Sequence, residues 1–359
     1  MHDMLAGHGD RAVGDGKDPT TYGFDLSNSL VPLASIAASG LPRDGLPVLE
    51  FPRLLTPAQA DSLNRTPHYK YLVPGDRVIG VARGGRARAY PISVMNWHEV
   101  VNDTLGGQPI VVTYSPLCDA SVVFDRRLPA SARTPSGEGR GAPLQPLAAR
   151  IASHRSLGAE VAPDTTALFS FSGLLYNSNL VIYDRRKDHH GESLWSQLQA
   201  RAIAGPGADD GRRLQVLPCV VARWTDWRET YPQTTVLKPE LSRRERYQRD
   251  PYVHDYGSDL LRFPVEPLPP EGTPGYKTPC VIVGVDHRYA VYPLSLIAGK
   301  AGGGGIWETR QEEQPLRFTF RDRPPTMWVD APGDADAEVI YSFWYAWYAC
   351  RPQESSLAR

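Results

Sequence analysis

The absences narrow the reading first. No apolar run in the 359 residues approaches the ~20 that a helix needs to cross a bilayer, so no spanning helix is expected. Lys and Arg total 39 and Asp and Glu 40, leaving a net charge of −1. That balance gives no electrostatic case for nucleic acid or an anionic membrane as partner. The start, Met1-His2-Asp3-Met4-Leu5-Ala6-Gly7-His8, has neither a basic head nor an apolar segment, so the chain as it stands reads as cytoplasmic, or as exported if a signal was trimmed. Cysteine is scarce: Cys118, Cys219, Cys280 and Cys350 lie far apart with no CxxC pair, which excludes a disulfide framework and a zinc finger. There is no G-x-S-x-G elbow, no G-x-G-x-x-G after a strand and no P-loop, which argues against a serine hydrolase and the common nucleotide sites.

What is abundant is turn chemistry. The 32 Gly and 33 Pro suit short strands joined by many turns. Residues 1–45, rich in Gly, Asp and Ser, read as an irregular arm. A helix start follows, with Thr56 as N-cap and Pro57 in the first turn. Val78 to Tyr90 reads as a hairpin about Gly84-Gly85, and Ser93 to Asn102 as a short helix carrying His98. Residues 126–166 change to Pro, Ala, Arg, Gly and Ser, the mark of an exposed insertion.

An internal repeat organises the rest. Val78–Met95 aligns without gaps on Cys280–Ile297, sharing Arg86/Arg288, Tyr90/Tyr292, Pro91/Pro293 and Ser93/Ser295. Trp224 and Trp227 match Trp344 and Trp347, and their spacing of three puts each pair on one helix face. The expected fold is therefore β-rich α+β. It has two pseudo-repeated halves of antiparallel strands, each sealed by a short Trp-bearing helix. The division is residues 1–77 as arm and helix, 78–240 as the half with the site, and 241–359 as a degenerate second half.

The repeat also separates folding from chemistry. Where the first half has Ser115-Pro116-Leu117-Cys118, the second has Arg321-Asp322-Arg323-Pro324; where the first has Trp97-His98-Glu99, the second runs into Gly302-Gly303-Gly304-Gly305. Residues present in one half only are candidates for chemistry. Cys118 reads as a thiol on a tight loop, usable as nucleophile, redox group or soft metal ligand. His98 reads as base or neutral metal ligand, and Glu99 as its orienting carboxylate. Ser115, Asp119, Tyr176, Asn177 and Trp195 stand in polar blocks that could line a substrate pocket beside Cys118. The bland alternatives are a small buried cysteine, a histidine bonded to a backbone carbonyl, and turn-building Asn and Ser. Cys219 and Cys280, set in apolar runs, read as buried hydrophobes.

Taken together, Tyr90-Pro91, Asn96-Trp97-His98-Glu99, Pro116-Leu117-Cys118, Ser172-Gly173-Leu174-Leu175-Tyr176-Asn177-Ser178, Leu194-Trp195-Ser196-Gln197 and Trp224-Thr225-Asp226-Trp227 resemble the DUF3179 family. The resemblance runs from about Val78 to Gln353. It implies a redox motif, since members typically show Cys-Pro-Leu-Cys, some with selenocysteine first. Ser115 stands where that first Cys would be, so a dithiol cycle within the motif is unavailable here. The expectation is an oxidoreductase of a small molecule using Cys118 with His98, at a mononuclear metal site for which copper suits thiolate and imidazole. The alternatives are a metal- or small-ligand-binding protein without turnover, or a structural relative that lost dithiol activity.

Overall fold

A computed structural model describes residues 13–65, 70–128, 165–186, 191–285, 288–330 and 337–358. Hairpins build it. Arg77–Arg83 pairs antiparallel with Arg86–Pro91, closing at Arg83↔Arg86. Gly84 and Gly85 turn the chain with φ of 53° and 69°, the left-handed pair whose twist matches the strands. Pro279–Val285 and Arg288–Pro293 repeat this pairing.

From there the two halves run through the same elements. Each hairpin is followed by a helix, Ile92–Met95 or Leu294–Ala301. A second hairpin comes next, Val100–Leu105 with Gln108–Ser115, or Ile306–Gln311 with Gln314–Arg321. A third strand is added by Ala120–Asp125 or Thr326–Asp330. Later, Val220–Arg223 runs into the helix Trp224–Thr230, and Glu338–Phe343 into Trp344–Cys350.

The sheets are shared between halves, so the β-layers are not one per half as the repeat alone suggests. A nine-stranded sheet joins the 100–125 strands to those at 279–293 and 338–343; an eight-stranded sheet joins the 306–330 strands to those at 77–91 and 220–223. The seams are Tyr341↔Ser121 and Val221↔Met327. Exchange lets each half cover an edge that the other would leave unpaired.

A five-stranded sheet completes three β-layers. Its central strands, Phe169–Tyr176 and Asn179–Asp184, are buried at every position. The nine-stranded sheet lies in the middle: Val111, Val122 and Phe124 face a core shared with the five-stranded sheet, and Ile110, Val112 and Val123 face a core shared with the eight-stranded one. The arm is less irregular than expected, because Ile36–Ala38 is an edge strand on Phe169–Tyr176. The Thr56 cap is present, with Gln59 returning the bond in a capping box. Most of the 126–166 insertion lies outside the described residues. Its first residue is not exposed, however: buried Arg126 donates to the carbonyls of Ile110, Ala167 and Asp103 and so ties both sides of the insertion to the central sheet.

Candidate functional site

The strand Gln108–Ser115 ends where Pro116 removes the next ladder donor. Pro116–Cys118 makes one 3-10 turn, and Asp119 closes it with φ of 45°. Aspartate tolerates the left-handed region better than most residues, and Ala120 then starts the returning strand.

This tight turn is interior. Cys118 is 0% exposed, because the five-stranded sheet and the second Trp-bearing helix close over it. Its thiol donates to the Ser178 carbonyl at 3.1 Å and lies 3.5 Å from the Tyr345 hydroxyl. Burial pushes the thiol up to about 11, while Tyr345, Ser115 and Asn179 pull it down by hydrogen bonding. Burial alone pushes Cys219 to about 12 and raises Cys280 further. Among the four cysteines Cys118 is the one whose sulfur is ringed by hydroxyl and amide groups.

Glu99 is the second unusual group. The helix expected over 93–102 stops at Met95, so His98 and Glu99 lie in the turn before the Val100 strand. Glu99 has φ of 55°, uncommon for a side chain of this size. Its carboxyl is buried, and desolvation lifts it to about 8, with no opposing partner among the described residues. Its charge is felt at Cys118 and at Tyr252. A buried carboxyl that titrates near neutral pH has the range a general acid or base needs.

His98 spends both ring nitrogens on the protein. Nδ1 meets the Pro47 carbonyl at 2.5 Å and Nε2 the Tyr247 hydroxyl at 2.8 Å. A carbonyl only accepts, so Nδ1 carries the proton and Nε2 accepts from Tyr247. Neither nitrogen is left for a thiol or a metal in this arrangement. Among the described residues, no group of three or more His, Cys, Asp or Glu is placed to hold a metal ion. His98 instead clamps the arm to the segment around Tyr247.

That clamp makes a prediction. Burial depresses the His98 pKa, so the unfolded chain takes up a proton below about 6.5 that the folded one refuses. Stability from this residue is present above pH 6.5 and falls as the pH drops below it. His98→Gln is expected to flatten that acid slope in urea titrations while costing on the order of 2 kcal/mol at pH 7. An unchanged slope would show that His98 is already charged in the fold.

The remaining candidates divide. Ser115 and Asp119 share the turn with Cys118. Asp119 accepts from Arg77 at 2.8 Å and from the Tyr114 hydroxyl at 2.9 Å, and Tyr114 lies 3.1 Å from the Tyr256 hydroxyl. Asn177 ties the Ala349 carbonyl and the Glu266 amide to the five-stranded sheet, a positioning role. Trp195 donates to Asp184 at 3.0 Å and packs edge-on to Phe169. Tyr176 is buried near Gln199 and Cys350. The residues that sequence reasoning missed are Tyr345, Asn179 and the stretch holding Tyr247, Tyr252, Tyr256 and Lys277. The spacing of Tyr252 and Tyr256, four apart, was the available signal.

A family model described as "Protein of unknown function (DUF3179)" matches residues 43–354. No curated protein and no solved structure matches.

Proposed function

The chain belongs to the DUF3179 family, and from the site we propose a thiol-dependent oxidoreductase of a small molecule, with Cys118 as the reacting sulfur and Glu99 as its proton acceptor. The observation that carries this reading is a buried sulfur beside Tyr345, Ser115 and Asn179, raised further by the charge of the buried Glu99 carboxyl, an opposition that vanishes when Glu99 takes up the proton. Hydrogen bonding from these neighbours offsets part of the burial that holds the thiol protonated to about 11. The Glu99 carboxylate can take the thiol proton without a charge entering from solvent.

With a hydroperoxide as oxidant, the step balances on these two residues. The Cys118 proton passes to Glu99 and the thiolate attacks the distal peroxide oxygen. An S–O bond forms, the O–O bond breaks, and the leaving alkoxide recovers the proton as an alcohol. Sulfur is oxidised by two electrons to the sulfenic acid. Two equivalents of an external thiol return it to the thiol, releasing water and a disulfide. The step needs no contribution from His98 and is routed through no metal.

The test is trapping of sulfenic acid with dimedone after exposure to tert-butyl hydroperoxide, read residue by residue by mass spectrometry. Cys118 is expected to label ahead of Cys219 and Cys280, with a rate that rises through about pH 8. Glu99→Gln should remove that rise. Labelling of Cys118 no faster than of Cys219 and Cys280 would overturn the assignment.

A further inference from the structure

A second feature lies where the two halves meet. Between the starts of the strands at Arg77 and Pro279 is a cavity of about 410 Å³, within the range of small-molecule sites. Its lining includes residues that the repeat makes equivalent: Arg77 with Pro279, and Val221 with Tyr341. The Asp119–Arg77 pair forms part of its wall beside the Cys118 turn, and nothing in the thiol chemistry above uses the cavity.

Among its lining residues the one carboxylate, Asp119, is held by Arg77, and the polar groups left over are donors. Among the described residues, Thr326 Oγ1 and Arg77 Nε are buried without a hydrogen-bond partner, as is the Tyr341 hydroxyl, which lies near the Val221 and Val329 backbone with no well-formed bond. Thr326 and Tyr341 are each 4% exposed. Lys277 also lines the cavity, and its ammonium donates to the Asp255 carbonyl with two protons to spare. Every one of these groups can donate, and Arg and Lys can do nothing else. Of the two cations, Arg77 is already paired with Asp119, leaving one positive charge in excess. The other walls, Met327, Leu294 and Phe343 among them, are apolar.

The geometry points to this cavity as a binding site for a small monocarboxylate with an apolar body. Its carboxylate accepts from Lys277, Arg77 Nε and the Thr326 and Tyr341 hydroxyls, and its chain packs on Met327 and Leu294. Orphaned buried donors cost free energy that such an acceptor recovers, and a charge-assisted bond to Lys277 selects the anion over a neutral analogue.

Isothermal titration of the full chain with octanoate and with 1-octanol tests this, since the two differ in the carboxylate alone. Octanoate is expected to bind about ten-fold or more tighter than octanol. Lys277→Met should remove that advantage and leave octanol unchanged. Leu294→Trp, at a half-buried helix start, should fill the cavity and abolish both, and unchanged thermal unfolding would confirm that it folds. Equal affinity for the two probes, no heat with octanoate up to millimolar concentration, or octanoate binding that survives Leu294→Trp would each overturn the assignment. Should Leu294→Trp fail to fold, the octanoate-to-octanol ratio in Lys277→Met decides alone.

Discussion

Glu99→Gln is expected to stabilise the protein at pH 8 and above by up to about 4 kcal/mol, while removing its proposed proton acceptor. The sign follows from linkage. In the unfolded chain the carboxyl ionises near its ordinary 4.5; in the fold, burial keeps it protonated to about 8. Between those values the unfolded state gives up a proton that the folded state keeps, so stability declines as the pH rises through the window and levels off above it. Glutamine is neutral throughout and escapes the decline. Below pH 4.5 the two proteins should be equally stable, which separates this effect from a general packing change. Urea titrations at pH 4, 6 and 9 read it directly. A parallel pH dependence in wild type and variant would mean that water or a partner compensates Glu99, and its role as a base would lose its physical footing. A residue that costs stability where it sits, and whose burial holds its proton near neutral pH, is what a functional carboxyl looks like when stability and activity trade off.

Trp227→Ala should cost ~3–5 kcal/mol, the range for deleting a large buried aromatic. The ring is nearly inaccessible, donates from Nε1 to Thr234 at 2.9 Å, and lies against Tyr231 with centroids 4.3 Å apart. It also rests on Gly80, where any Cβ would overlap its six-membered ring. Gly80→Ala alone should therefore cost roughly 1–3 kcal/mol through overpacking. In a Trp227→Ala background the same change should cost far less, because the new methyl enters the space that the indole vacated. Non-additivity of this kind, measured as a double-mutant cycle by denaturant unfolding, is the expected signature of two groups in contact. Additive losses would show that the helix Trp224–Thr230 shifts and does not leave a cavity.

The helix that Trp227 anchors also shows how far the pattern could be read. The Trp pairs, the Gly84-Gly85 hairpin, the Thr56 cap and the repeat of 78–95 on 280–297 are local or periodic signals, and each appears in the fold as expected. The exchange of strands between halves was not legible, because a strand's own sequence does not say which neighbour will cover its edge. Tyr341↔Ser121 and Val221↔Met327 join residues more than one hundred positions apart. The helix expected to carry His98 ended early because Glu99 takes a positive φ that helical periodicity cannot anticipate.

At the site the division is similar. The sequence by itself determined that Cys118, His98 and Glu99 are candidates, since the repeat lacks all three in its second copy and the fold does not require them there. It also determined the family and the β-rich architecture. Only the tertiary structure decided their surroundings. It buried Cys118 beneath Ser178 and Tyr345, engaged both nitrogens of His98 with Pro47 and Tyr247, and left Glu99 buried without a partner among the described residues. The reason is physical. Residue type sets which protons and electron pairs a side chain can offer, but burial and partners from distant strands set whether they are free, and those arrive only when the three sheets close.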